Sequence, residues 1–323
     1  MKKVRWMILT ITLNPAIDMS YHLSSFHIND VNRCNRVIKT AGGKGLNVSR
    51  VIRCTSERLC ATGFLGGTNG QFIRNELDSN QILHRFVDIK GDTRNCIALL
   101  YDGQQTEILE EGPAISEEEA KKFIENYQDL INDADVITAS GSLPKGLKPS
   151  FYQTLIEIAN KKGKKFILDT SGEALREGIK AKPYLIKPNL DELSQLCNRK
   201  VTTDEEVIEV IQNSLLEYEI EYIVVSLGQR GSIAYHQGVF YKITPPKVQA
   251  VNPIGSGDSM VAGFAVALQR NYSPEQVLVY GNAFGTLNAI EEKTGFIDTS
   301  QIDYIINQMI VDKIFPLSGK SIR

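Results

Sequence analysis

Between residues 113 and 226 the sequence changes its hydrophobic period every ten residues or so, and no other feature constrains the fold as much. The short apolar runs "DVITAS", "KKFILD", "PYLIK" and "YIVVS" read as buried strands. Between them lie helical segments: "PSFYQTLIEIANKKG" is closed by glycine, "LDELSQL" is short, and "SEEE" and "TDEE" are capping boxes that open helices. Parallel neighbours joined through helices cross over in one hand and cover the sheet on both faces. The expected fold is therefore α/β, a Rossmann-like parallel sheet with helices on both faces.

The flanks do not alternate so cleanly. "MILTITL" reads as a buried first strand that stops at Asn14-Pro15, and Met7 is an alternative start that would leave residues 1–6 as a short extension. "ILHRFVDIK", "NCIALLY" and "TEIL" are successive β-segments, with Asp102-Gly103 as the turn between the last two. They suggest a small β-sheet lid assembled from pieces within about 10–40 and 85–112, on a main domain spanning 7–323. A hairpin, "GSIAYHQGVFYKI", precedes a region read as helical to the end, with Ser273-Pro274 starting one helix. A net charge of -2 gives no electrostatic reason to expect nucleic acid or membrane as partner. The five cysteines contain no C-x-x-C pair and the four histidines no metal-ligand spacing, which suggests a reducing, cytoplasmic setting. The apolar run at the N-terminus is too short for a span.

The chemistry is concentrated in glycine clusters. There is no G-x-x-x-x-G-K-[ST] and no G-x-G-x-x-G after the first strand, so neither a Walker-type site nor a dinucleotide fingerprint is present. The clusters that do occur are "GGKGLN", "GFLGG", "SGSLPKG", "SLGQRG" and "GSGD"; three of them follow directly on an expected strand or precede an expected helix, where α/β sheets bind ligands. In "VNPIGSGDSM" the amides of Gly255, Ser256 and Gly257 open a helix and suit an anion, and Asp258 beside them suits a base for an attacking hydroxyl. The same residues would also serve as a tight turn with a helix cap.

In order along the chain, "TLNPAIDMSY", "GGKGLNVSR", "KGDTRNCIALL", "QTEILEEGP", "SGSLPKG", "LDTSG", "IKPNLDEL", "VVSLGQRG" and "VNPIGSGDSMVAGFA" resemble the motifs of the ribokinase-like, pfkB-type carbohydrate kinases. Within the family, "TRNCIALL" with "QTEILE" is most similar to the branch acting on tagatose 6-phosphate, with 1-phosphofructokinases next. The resemblance implies a ribokinase-like fold and an ATP- and Mg²⁺-dependent phosphotransferase whose acceptor is a sugar phosphate. Asp258 becomes the catalytic base, and Gly255, Ser256 and Gly257 the anion hole. The expected substrate-binding residues are Asp18, Gly42, Gly43, Lys44, Asn47, Arg94, Cys96 and Ser142, with Lys44 and Arg94 as a cationic clamp on the sugar phosphate. Lys187, Asn189, Ser226, Gly228, Gly231 and a loop around Asn282 are assigned to ATP, and Asn189 with Glu192 to Mg²⁺ through water. A homodimer through the lid is expected. The alternatives are a 1-phosphofructokinase, acting on fructose 1-phosphate, and a sugar-phosphate sensor without turnover. "CTSER" at 54–58 departs from the family's usual Leu-Gly turn.

Overall fold

A computed structural model describes residues 8–314. Its first third runs β1 (Ile8–Thr12), β2 (Ala16–His22), β3 (Arg36–Gly42), α1 (Lys44–Cys54), β4 (Leu59–Leu65), α2 (Gly67–Ser79), β5 (Leu83–His84), β6 (Val87–Asp88), β7 (Arg94–Tyr101) and β8 (Gln104–Leu109). The alternating middle follows: α3 (Glu117–Leu130), β9 (Val136–Ser140), α4 (Phe151–Lys161), β10 (Lys165–Asp169), α5 (Gly172–Gly178), β11 (Leu185–Ile186), α6 (Leu190–Leu196), α7 (Asp204–Val210) and β12 (Tyr222–Ser226). The chain ends with β13 (Ser232–His236), β14 (Val239–Thr244), α8 (Ser256–Gln269), α9 (Pro274–Ala289), α10 (Ile302–Ile306) and β15 (Ile310–Ile314).

The large sheet has the order β15-β14-β13-β12-β11-β10-β9-β1-β4-β5, with β6 also on β4. From β5 to β12 it is parallel, as the alternation implies; β13, β14 and β15 extend it in antiparallel fashion. One face is buried under α1, α8 and α9 through Leu46, Val261, Phe264 and Leu278, the other under α3 and α4 through Phe123, Tyr127, Tyr152 and Leu155. The expected capping boxes at Ser116 and Thr203 form, and the helix expected at Ser273-Pro274 starts there with a capping box of its own. β1 is followed by β4 on one side and β9 on the other, so the strand order reverses there and opens a crevice at the carboxyl ends.

The second sheet, β3-β2-β7-β8, is the small β lid. Its register sets Asp18 beside Thr40 on one side and Cys96 on the other, so these three side chains share a face. Three local expectations are revised. Leu83–Asp88 pairs with β4 in the large sheet, not in the lid. The C-terminal region is not wholly helical, because Ile310–Ile314 adds an edge strand to β14. "YGNAFG" is the interior of α9, not a loop. Its glycines serve packing: a methyl on Gly281 would lie 1.9 Å from the Phe264 ring on α8. The proposed extension 1–6 lies outside the described residues. Among those described, no helix is long and apolar enough to cross a membrane.

Candidate active site

A cleft of about 1210 Å³ separates the lid from the carboxyl edge of the large sheet. Of the residues singled out from the sequence, all but Gly42 and Ser142 line it. Gly42 acts from behind: a methyl there would fall 2.1 Å from the Asp18 carboxylate carbon, so only glycine lets that carboxylate seat. Ser142 accepts a hydrogen bond from Asn14 Nδ2 at 3.2 Å and braces the loop after β1.

α8 starts at the floor of the cleft. Gly255 caps it in the left-handed region (φ 84°) and offers no side-chain acceptor to the amides of the first turn. Ser256 N–H is already spent on Pro253 O at 3.2 Å. Among the described residues, the amides of Gly255, Gly257 and Asp258 have no acceptor, so the open set is shifted by one from the expected Gly255–Gly257 trio. The loop is held by two asparagines that sequence reasoning missed. Asn288 Nδ2 donates to Ile254 O at 2.9 Å, its Oδ1 accepts from Gly295 N at 3.0 Å, and Asn252 Oδ1 accepts from Ile254 N at 3.0 Å.

Asp258 is buried against these amides. Burial, reinforced by the Asp169 carboxylate, pushes its pKa up to about 6, while a 2.7 Å hydrogen bond from Asn47 Nδ2 and the charges of Lys44 and Lys187 restrain the rise. A carboxylate poised there is ionised at neutral pH and still basic enough to take a proton. On the lid, Asp18 is raised by burial and restrained by Arg50 and Arg94.

Asp169, at the end of β10, was also missed. It is 1% exposed, neither oxygen accepts a hydrogen bond, and it faces Lys187 at 3.2 Å and Lys44 at 4.0 Å. Its signal was a lone charge terminating the apolar run "FIL". Asp169 is also the main cause that holds Lys44 well above the usual ammonium pKa, with Glu192 at 3.6 Å adding to it. The expected Lys44–Arg94 clamp is thus not preassembled. Lys44, at the first turn of α1, is turned to these two carboxylates, whereas Arg94 donates to Glu110 O at 2.8 Å and Asn14 O at 3.1 Å.

Asn189 and Glu192 cap one another: Glu192 N donates to Asn189 Oδ1 at 2.8 Å and Asn189 N to Glu192 Oε2 at 3.0 Å. The remaining Glu192 oxygen looks to the cleft and Lys44. Ser226, Gly228 and Gly231 form the rim at the end of β12, where Leu227 N bonds Gly231 O at 2.8 Å. Asn282 is buried, and its Nδ2 donates to Ser232 Oγ at 2.9 Å. Pro245, Pro246, Val248 and Ile254 add an apolar wall suited to a flat base.

A buried carboxylate, open amides and paired lysines on one wall face a carboxylate-bearing lid on the other, an arrangement suited to moving a charged group onto a hydroxyl. The pfkB family carbohydrate kinase pattern matches residues 7–300. This chain belongs to the pfkB family of carbohydrate kinases. A tagatose-6-phosphate kinase from Staphylococcus epidermidis is 47% identical over 310 residues, covering 95% of this chain and 100% of the relative. Among solved structures, Escherichia coli phosphofructokinase-2 in complex with potassium superposes with a TM-score of 0.88 at 28% identity, covering 94% of this kinase and 99% of that chain. The same enzyme in complex with fructose-6-phosphate gives 0.86 at 28%, over 94% and 99%.

Proposed function

We propose that this kinase transfers the γ-phosphoryl group of ATP to the free primary hydroxyl of tagatose 6-phosphate, giving the 1,6-bisphosphate. One observation carries the mechanism: Asp258 sits beside open helix amides at the point where lid and sheet meet. Asp258 takes the hydroxyl proton as the oxygen attacks, and the amides of Gly255, Gly257 and Asp258 receive the charge that spreads over the moving group. Asp18 on the lid holds sugar hydroxyls, and Arg94 with Lys44 supplies cations for the sugar's phosphate. Lid closure keeps water from replacing the sugar as nucleophile. The 47% identity to a relative named for this substrate favours tagatose 6-phosphate over fructose 1-phosphate.

The donor set suits a hydrated divalent cation carried with the nucleotide. Asp169 has two buried oxygens that face lysines but accept no hydrogen bond, and Glu192 keeps one oxygen toward the cleft. Mg²⁺ bound there would neutralise phosphate charge during transfer. Lid register puts Tyr21, Val37, Ile97 and Ile108 on the face opposite Asp18, and Val37 and Ile108 are 44% and 54% exposed. A second copy covering that face, lid to lid, is the assembly we infer; sedimentation as a monomer at working concentration would refute it. The five thiols are free, in keeping with a cytoplasmic setting.

The test is Asp258→Asn, which keeps size and hydrogen bonding while removing the base. Its kcat is expected to fall about 10³-fold with ATP affinity unchanged. Near-normal turnover would end this reading.

A further inference from the structure

Arg50 lies on α1, one turn beyond Asn47, and touches both halves of the site. One terminal nitrogen donates to Ala41 O in lid strand β3 and the other to Asn47 Oδ1. Glu76 of α2 takes the N–H of the same Ala41. The lid strand is therefore gripped, at the residue paired with Ile17 and one pair away from Asp18, by an anion and a cation of the large domain.

We propose that Arg50 is a positioning residue that couples lid seating to the working orientation of the base, a role that rests on Asp258 being that base. A guanidinium can only donate, so Asn47 must turn its carbonyl to Arg50 and its NH₂ to Asp258. That NH₂ holds Asp258 Oδ2 at 2.7 Å. Asp258 Oδ1 is left for the acceptor hydroxyl. If β3 swings away, Ala41 O withdraws an anchor of the guanidinium; a freed Asn47 amide can then rotate and oppose its own oxygen to the carboxylate. Ionised Asp258 is disfavoured in that arrangement, so the base is set only while the lid is seated.

The other charges around Asp258 are Lys44 on α1, Asp169 at the end of β10 and Lys187 after β11, whose ion pairs run among themselves and to Glu192 and not to the lid strand. Arg50 itself faces Asp18, Glu76 and Asp258, which makes it the shared cation between lid and base. Its Nε has no partner, so the two terminal nitrogens carry the whole linkage.

The experiment compares wild type with Arg50→Gln, Arg50→Lys, Asn47→Ala and the Arg50→Gln/Asn47→Ala double variant, using ATP and tagatose 6-phosphate from pH 5 to 9. Substrate ionisations are common to all enzymes, so a displaced acid limb of kcat/KM reports the protein. Arg50→Gln is expected to lower kcat about 10–100-fold and to move the acid limb up by about half a pH unit or more. Arg50→Lys keeps the charge and one donor, secures a folded protein and should fall between. In the Asn47→Ala background, adding Arg50→Gln should cost less than about threefold, because the intermediary is already gone. An acid limb that stays at the wild-type position in both Arg50 variants, or fully additive losses in the double variant, overturns the coupling. Turnover by Asp258→Asn would instead remove the base itself, so the two failures are distinguishable.

Discussion

β4 and β7 have similar sequences and opposite fates. "LCATGFL" in β4 is buried at every position, whereas "RNCIALLY" in β7 is only half-buried throughout, and its neighbour β8 is exposed from end to end. The difference is what lies on their faces. β4 has helices packed on both sides, while the lid has the cleft on one face and Val37 and Ile108 uncovered on the other. Apolar content alone does not say which strand is core; the lid leaves apolar residues uncovered that an internal strand would bury. The large sheet carries the buried core, and the lid is the less buried of the two.

The sharpest break in that comparison is at the hinge between the two sheets. Gly42→Ala places a methyl against the Asp18 carboxylate and should lower kcat/KM for the sugar phosphate about 100-fold, with the ATP KM little changed. Steady-state kinetics on both substrates would show it; an equal effect on both would mean that the glycine shapes the whole cleft.

Next in size is a stability effect confined to the large domain. Asp258 has its pKa raised to about 6 from an ordinary 3.8, so the folded state binds the proton more tightly than the unfolded one. Above pH 6 the buried charge costs on the order of 2–3 kcal/mol, and the cost fades as pH falls through 6 toward 4. Asp258→Asn should therefore melt higher than wild type at pH 7.5 and lose that advantage near pH 4. Equal melting temperatures at pH 7.5 would contradict a strained carboxylate.

Hydrogen exchange separates the two sheets directly. Amides of β7 and β8 should open well below the global unfolding free energy, and those of β9 and β10 only with it. A sugar phosphate with a non-hydrolysable ATP analogue should slow lid exchange about tenfold or more, the loss expected when an exposed face becomes enclosed. Lid protection equal to that of the core without ligand would dissolve the distinction.

The smallest effect is at the turn where the family's glycine is missing. The Thr55 hydroxyl donates to Ile52 O at 2.7 Å and accepts from Glu57 N at 3.2 Å, doing the turn's work with a side chain. Thr55→Ala should cost about 1 kcal/mol in denaturant unfolding and leave kcat untouched.

Much of this was legible in the sequence because it was local. The alternation, the two capping boxes at Ser116 and Thr203 and the placement of Asp258 at a helix start each depend on residues a few positions apart. What was not legible depends on distance: the Asn47–Asp258 bond spans 211 positions, and Arg50 and Asp169 acquire meaning only from partners on other elements. The glycines of "YGNAFG" misled because close helix packing and tight turns demand the same residue. β15, with its exposed "IVDKI", lacks the apolar density of an internal strand and pairs only at the sheet edge.

The most direct test of the account is kcat/KM with ATP and Mg²⁺ across tagatose 6-phosphate, fructose 6-phosphate, fructose 1-phosphate and free tagatose. Tagatose 6-phosphate should lead its phosphorylated rivals by about tenfold or more, as one or two hydroxyl contacts allow, and free tagatose by far more, since the cleft's cations would then lie unmatched. Turnover of free tagatose equal to that of its 6-phosphate, or tight sugar-phosphate binding with no turnover of any acceptor, would contradict it.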